Sequence, residues 1–212
     1  MVVLLCSLCT PCLAYAGDDV ILTKEFVDFT KMTNAELNNY IDYIAEMSSK
    51  NVRRADPALQ QAWLAAAQIA RNLGYDCAAT MVEHSVKNMN YSETSVYGDG
   101  PLLTKIKTTD AYRDYVADML ASGETYYTES FVITKNDNAD LFYALHNVST
   151  NSLGTMPGTN LATYIVTLYD TFDFAYDNDY DDLFTTAVNN WAWLCQQTYL
   201  LNSITITLST FA

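Results

Sequence analysis

From residue 162 to 169 the chain alternates with a period of two, placing Ala162, Tyr164, Val166 and Leu168 on one side and Thr163, Ile165, Thr167 and Tyr169 on the other. A pleated strand carries this pattern. Both sides are apolar or β-branched, so a central strand over residues 162–172 with cover on both faces is expected. Residues 203–209 repeat the period, with Ile204, Ile206 and Leu208 pointing one way and hydroxyl side chains the other, as in a half-buried antiparallel strand. Residues 126–134 and 141–150 predict two further strands, joined by the turn-rich Asn136-Asp137-Asn138, and residues 151–160 supply the next connection.

A helical period governs the first half. Thr33-Asn34-Ala35-Glu36 is a capping box, followed by Leu37, Tyr40, Ile41, Ile44 and Met47 on one face. Asp56-Pro57 predicts the next helix start, with a buried stripe of Leu59, Trp63, Ala66, Ile69 and Leu73 and a stop at Gly74. A third helix begins at Asp76 and carries Cys77, Met81, Val82 and Val86; residues 88–101 then read as a loop. Helical spacing returns over residues 109–120, closed by Gly123, and over 183–200 through Ala187, Val188, Trp191, Leu194 and Cys195. Helices first and strands afterwards imply an α+β fold: an N-terminal helical group, then an antiparallel sheet of about four strands with one helix before the last strand. Residues 17–212 are expected to form a single domain, with a helical part over 17–90 and a helix-plus-sheet part over 102–212.

Residues 1–16 change this picture at the amino end. An apolar run, too short to span a bilayer, leads to Ala14-Tyr15-Ala16, which reads as a signal peptide with an A-x-A cleavage site and places the mature chain outside the cell or in the periplasm. The leader holds three of the five cysteines. Cys77 and Cys195 remain, either closing one disulfide in an oxidising compartment or packing as small buried residues on two helices.

The formal net charge is −14, and no Lys or Arg follows Lys135. Phosphate backbones need basic surface, so no nucleic-acid partner is expected, and no second long apolar run predicts stable membrane insertion. Carboxylates crowd at Asp170, Asp173, Asp177, Asp179, Asp181 and Asp182, where they repel one another unless water, a cation or a partner screens them. Asp177, Asp179 and Asp181 match the opening spacing of a calcium loop, but Asp182 stands where the EF-hand needs Gly and Val188 where it needs the bidentate Glu. An irregular calcium site or a solvated loop that caps the next helix are the two readings. The sequence implies no other cofactor.

Of the two histidines, His84 has apolar helical neighbours and His146 falls on the predicted 141–150 strand, where it could meet Asp170 or Asp173 and act as a general base. At this point a resemblance enters. Asp170-Thr171-Phe172-Asp173-Phe174 resembles the Asp-x-Tyr-Asp-Phe signature that closes a strand in exported and toxin-like bacterial domains of unknown activity. More remotely it is similar to the active-site run of colicin M-type bacteriocins, which cleave the lipid-linked peptidoglycan precursor with an Asp-x-Tyr-Asp and a His-Arg pair shortly after. Asp170 and Asp173 match the two aspartates, Phe172 replaces the tyrosine, and Asp179-Tyr180 stand where His-Arg would be.

The resemblance implies an exported interaction or toxin-like domain with a protein or cell-envelope partner. Its enzyme alternative is a cell-envelope hydrolase using Asp170, Asp173 and His146, and a third reading is a calcium-stabilised extracellular binding module. Sixteen tyrosines favour a contact surface, with Tyr126, Tyr127, Tyr143, Tyr164, Tyr169, Tyr176 and Tyr180 near the expected sheet.

Overall fold

The computed structural model describes residues 10–16, 19–25, 32–49, 54–55, 58–154, 164–178 and 182–212. In chain order the elements are β1 (Thr10–Ala16), β2 (Asp19–Glu25), α1 (Asn34–Ser49), β3 (Arg54–Ala55), α2 (Ala58–Asn72), α3 (Asp76–Val86), β4 (Tyr91–Thr94) and α4 (Pro101–Ile106). There follow α5 (Asp110–Ser122), β5 (Tyr126–Tyr127), β6 (Ser130–Val132), α6 (Ala139–Ala144), β7 (Asn147–Gly154), β8 (Tyr164–Phe172), α7 (Leu183–Gln197) and β9 (Ile204–Phe211). The fold is α+β, and the chain divides into two compact units. One is built from residues 1–89 and 173–203, the other from residues 90–172 and 204–212. The helix expected within the sheet part, α7, therefore belongs to the helical unit.

In the helical unit α1 packs against α7 and α2 against α3, beside a small sheet in which β2 runs antiparallel to β1 and parallel to β3. Strand β1 covers the second half of the stretch expected as a leader. The capping box ahead of α1 forms as spaced: the Thr33 amide donates to Glu36 Oε2 at 2.7 Å and the Glu36 amide to Thr33 Oγ1 at 3.3 Å. These bonds favour the ionised form and lower the Glu36 pKa.

Helix α2 buries Leu59, Trp63 and Ala66 of the expected stripe, but its buried side continues through alanines and not through Ile69 and Leu73. Leu59, Ala62, Trp63, Ala66, Ala67 and Ala70 are buried, whereas Ile69 and Leu73 are exposed. Alanine's small side chain lets α3 approach closely, which favours burying the alanine-rich side over the bulkier one. Arg71 pairs with Glu83 across the two helices at 2.6 Å. Cys77 and Cys195 are buried thiols in the cores of α3 and α7.

The sheet unit is a mixed six-stranded sheet in the order β4-β9-β8-β7-β5, with β6 also on β7. It is antiparallel except at one edge, where β4 runs parallel to β9. Four differences from the expected strands matter. Residues 141–150 are not one strand: α6 occupies Ala139–Ala144, started by Asn138, whose Oδ1 accepts the Leu141 amide at 3.0 Å, and β7 begins only at Asn147. Residues 126–134 split into β5 and β6. Strand β4 lies inside what read as a loop. Finally, β8 is central, and among the described residues one of its faces is covered while Ile165 and Tyr169 on the other are exposed at 39% and 41%.

Helices α4 and α5 bury Leu102, Leu103, Ile106, Tyr112, Tyr115 and Met119. The Tyr115 ring lies 5.6 Å from Phe131 of β6, and its hydroxyl pairs with Ser152 of β7, so α5 covers that side of the sheet. Glu93 of β4 caps α4, accepting the amides of Leu102 at 3.0 Å and Leu103 at 2.8 Å. A Cβ at position 100 would come within 2.3 Å of the Glu93 carboxyl carbon, so this cap requires Gly100.

Candidate functional site

Strand β8 carries Asp170 to its carboxyl end, opposite Ile206 of β9, with the parity of the covered face. Its carboxylate is committed to backbone amides: Oδ2 accepts the His146 N–H at 3.1 Å and Oδ1 the Thr171 N–H at 2.8 Å. His146 sits between α6 and β7, not on a strand, and its imidazole makes a T-shaped contact with the Phe142 ring at 5.6 Å. The structure thus brings Asp170 and His146 together through the main chain of the histidine. A carboxylate so placed fixes the start of β7 beside the end of β8. General-base catalysis needs the imidazole nitrogen against the carboxylate or a substrate proton. His84, at the end of α3, has its Nδ1 3.1 Å from the Met89 carbonyl.

Asp173 is exposed and belongs to the helical unit, whereas Asp170 and His146 belong to the sheet unit. The segment it opens is laid along α7 by amide side chains. Phe174 donates its N–H to Gln196 Oε1 at 3.0 Å, Asn189 donates to the Ala175 carbonyl at 2.7 Å, and Asp177 donates its N–H to Asn190 Oδ1 at 3.0 Å. Asn190 is fully buried and its amide group donates to Asn178 Oδ1 at 2.9 Å. A buried amide must find such partners, so these bonds fix the path of residues 174–178. Asp182 caps α7, accepting the Thr185 amide at 2.7 Å and its hydroxyl at 2.6 Å.

Of the expected calcium ligands, Asp177 is described, and Asp179 and Asp181 lie outside the described residues. Among the described residues no group of three or more His, Cys, Asp or Glu side chains is placed to hold a metal ion. No described helix is long and apolar enough to cross a membrane.

The tyrosines separate by face. Tyr164 is buried and donates to the Glu124 carbonyl at 3.0 Å, and Tyr127 donates to Glu129, a bond that pushes its phenol up to about 12. Tyr143 packs against Phe142 and Lys135, Tyr176 against Trp193 in the helical unit, and Tyr180 lies outside the described residues. Tyr126 and Tyr169 instead stand on the side of the sheet away from α5.

The register assigns that side row by row. Tyr126, Leu153, Ile165 and Phe211 are successive cross-strand partners, and all four are exposed. The next row is Asn151, Thr167, Ser209 and Thr94, and the one after it Ser149, Tyr169, Thr207 and Ser92. Thr171 and Thr205 continue the sequence at the far end, and Ser130 and Val132 extend it onto β6. Among these described positions none is charged. Sequence reading placed the hydroxyls of residues 205–209 on an uncovered side but expected cover on both faces of residues 162–172, because alternation reports which residues share a face, not which face is covered.

No family model, no curated protein and no solved structure matches the chain.

Proposed function

We propose that the chain is an exported interaction domain that engages a protein or cell-envelope partner through the open face of the β4-β9-β8-β7 sheet. The observation that carries this reading is a contiguous, uncharged face bearing exposed Tyr126, Leu153, Ile165, Tyr169 and Phe211 in a chain of net charge −14. Surfaces of acidic proteins are normally studded with charge, and an uncharged aromatic patch marks a contact site. The export reading rests on residues 1–16. The likeness of residues 170–174 to the strand-closing motif of exported bacterial domains supports the same class. Asp170, engaged with two amides, acts here as a structural acceptor, which weighs against the hydrolase alternative.

Co-sedimentation with isolated bacterial cell envelopes tests the proposal. The parent is expected to leave the supernatant, and a variant carrying Ile165→Lys and Tyr169→Lys to stay in it with an unchanged melting midpoint. Asp170→Asn and His146→Ala are expected to sediment like the parent. Equal partitioning of the parent and the double-lysine variant would end this reading.

A further inference from the structure

We infer that the open face binds a neutral, hydroxyl-rich polymer, a glycan without acidic or basic groups; this rests on the interaction reading and names the chemistry of its partner. The first argument is charge. The chain carries 25 Asp and Glu against 11 Lys and Arg, yet no charged side chain stands at the open-face positions described. An anionic ligand would be repelled by the molecule as a whole, and a cationic one would be drawn to carboxylates, not to this face. Neutral ligands alone lose nothing on approach and find no charge to desolvate.

The second argument is the chemistry of the rows. Tyr169 stands between Ser149 and Thr207, and the neighbouring row brings Asn151, Thr167 and Ser209 side by side. A sugar ring presents an apolar C–H face and a rim of hydroxyls. The tyrosine ring suits the first, and side-chain hydroxyls and amides, each able to donate and accept, suit the second. Such groups replace bound water without leaving a buried charge unpaired.

The third argument is size. Adjacent strands lie about 4.8 Å apart and residues rise about 3.4 Å along them. Four such spacings by the eight residues of β9 give roughly 500 Å². A stable protein–protein interface buries about 800 Å² on each partner. The footprint of the face falls below that and the net charge of −14 repels a second copy, so the face suits a narrow chain lying across the strands.

Native affinity electrophoresis of the full chain tests this, in gels containing laminarin, hydroxyethylcellulose, glycogen or galactomannan, with polygalacturonate as the charged counterpart. At least a twofold reduction in relative mobility is expected in one or more neutral gels and none in polygalacturonate. Tyr169→Ala is expected to abolish the retardation, and the near-isosteric Thr167→Val to weaken it, both with melting midpoints within about 2 °C of the parent's. No retardation in any neutral gel overturns the inference, as does retardation unchanged by both substitutions. Sedimentation velocity showing a dimer that Tyr169→Lys dissociates would also overturn it, assigning the face to a second copy. Envelope binding lost in the double-lysine variant without retardation in any neutral gel refutes the glycan and leaves the interaction reading standing. Failure of both experiments removes both.

Discussion

The two faces of the β7-β8-β9 sheet are made by alternate residues of the same strands, one step apart, and they differ in character. The covered face is apolar with a few engaged hydroxyls: Val166 and Leu168 are shielded, Thr210 accepts from Ser95 at 2.7 Å, and Ser152 meets Tyr115. The open face is hydroxyl-rich, with one apolar row at its end. Both faces lack neat polar–apolar contrast, so β-branched threonine serves strand formation on one side and contact chemistry on the other. What separates them is cover: the hydroxyls of Thr210 and Ser152 are buried, and the side chains of Ile165, Tyr169, Thr171 and Thr205 are exposed.

The sharpest way to break this comparison is to truncate neighbours on opposite faces. Leu168→Ala, at 1% exposure, is expected to cost about 2–5 kcal/mol in urea unfolding. Tyr169→Ala, one residue on, is expected to cost about 0.5 kcal/mol. Comparable losses at the two positions would mean that both faces are covered. Next in size is the cap on the covered side. Glu93→Ala leaves two amides of α4 without their acceptor and should cost about 1–3 kcal/mol. Gly100→Ala should be similarly harmful alone and nearly silent in the Glu93→Ala background, because the clash partner is gone. Thermal melts of the two singles and the double decide it.

Tyr112 sharpens the comparison from the helix side. It is 5% exposed, and among the described residues its hydroxyl has no hydrogen-bond partner. Burial, with smaller contributions from Tyr115 and Asp99, pushes its pKa up to about 12 from 10.0. The folded state thus holds the proton more tightly than the unfolded one. Its contribution to stability is fully present below pH 10.0 and is lost as pH rises through about 12. Tyr112→Phe removes the orphan and should raise stability by about 1 kcal/mol at neutral pH, with a shallower alkaline limb in unfolding measured from pH 8 to 12. The smallest effect is expected on the open face: Thr167→Lys and Thr207→Lys should each change stability by about 0.5 kcal/mol or less in the same urea assay.

Local signals were legible in the chain. The Thr33–Glu36 box, the stop at Gly74 and the alternation that became β8 and β9 all involve residues within a few positions of one another, where spacing dictates geometry. The misreadings have two causes, a distant partner and a short element. Strand β4 looked like loop because its partner is β9, more than a hundred residues away, and four residues carry no periodicity of their own. Residues 139–144 read as strand because a six-residue helix makes less than two turns, and the decisive sign is the single cap Asn138. At the site, Asp170 lies beside the main chain of His146, and sequence could not say that an amide and not an imidazole would make the contact. The open face was least legible of all, since cover is supplied by elements that the strand's own pattern does not mention.

The place of β9 between β8 and β4 has a consequence for a nascent chain. Thr94 pairs with Ser209, so an interval of about 115 residues must emerge before the edge strand meets its neighbour. At about 5–20 residues per second that is roughly 6–23 s. Throughout it β4 offers unpaired N–H and C=O groups to any other strand, and the flank of β8, which ends at Phe172, joins it for the last part. The helical unit waits as well, because residues 173–203 are translated after nearly all of the sheet unit. Neither unit can close until the ribosome has passed position 200, which makes this an architecture completed almost at once from two half-built parts, with a long window in which a holding chaperone would find exposed strand edge to bind.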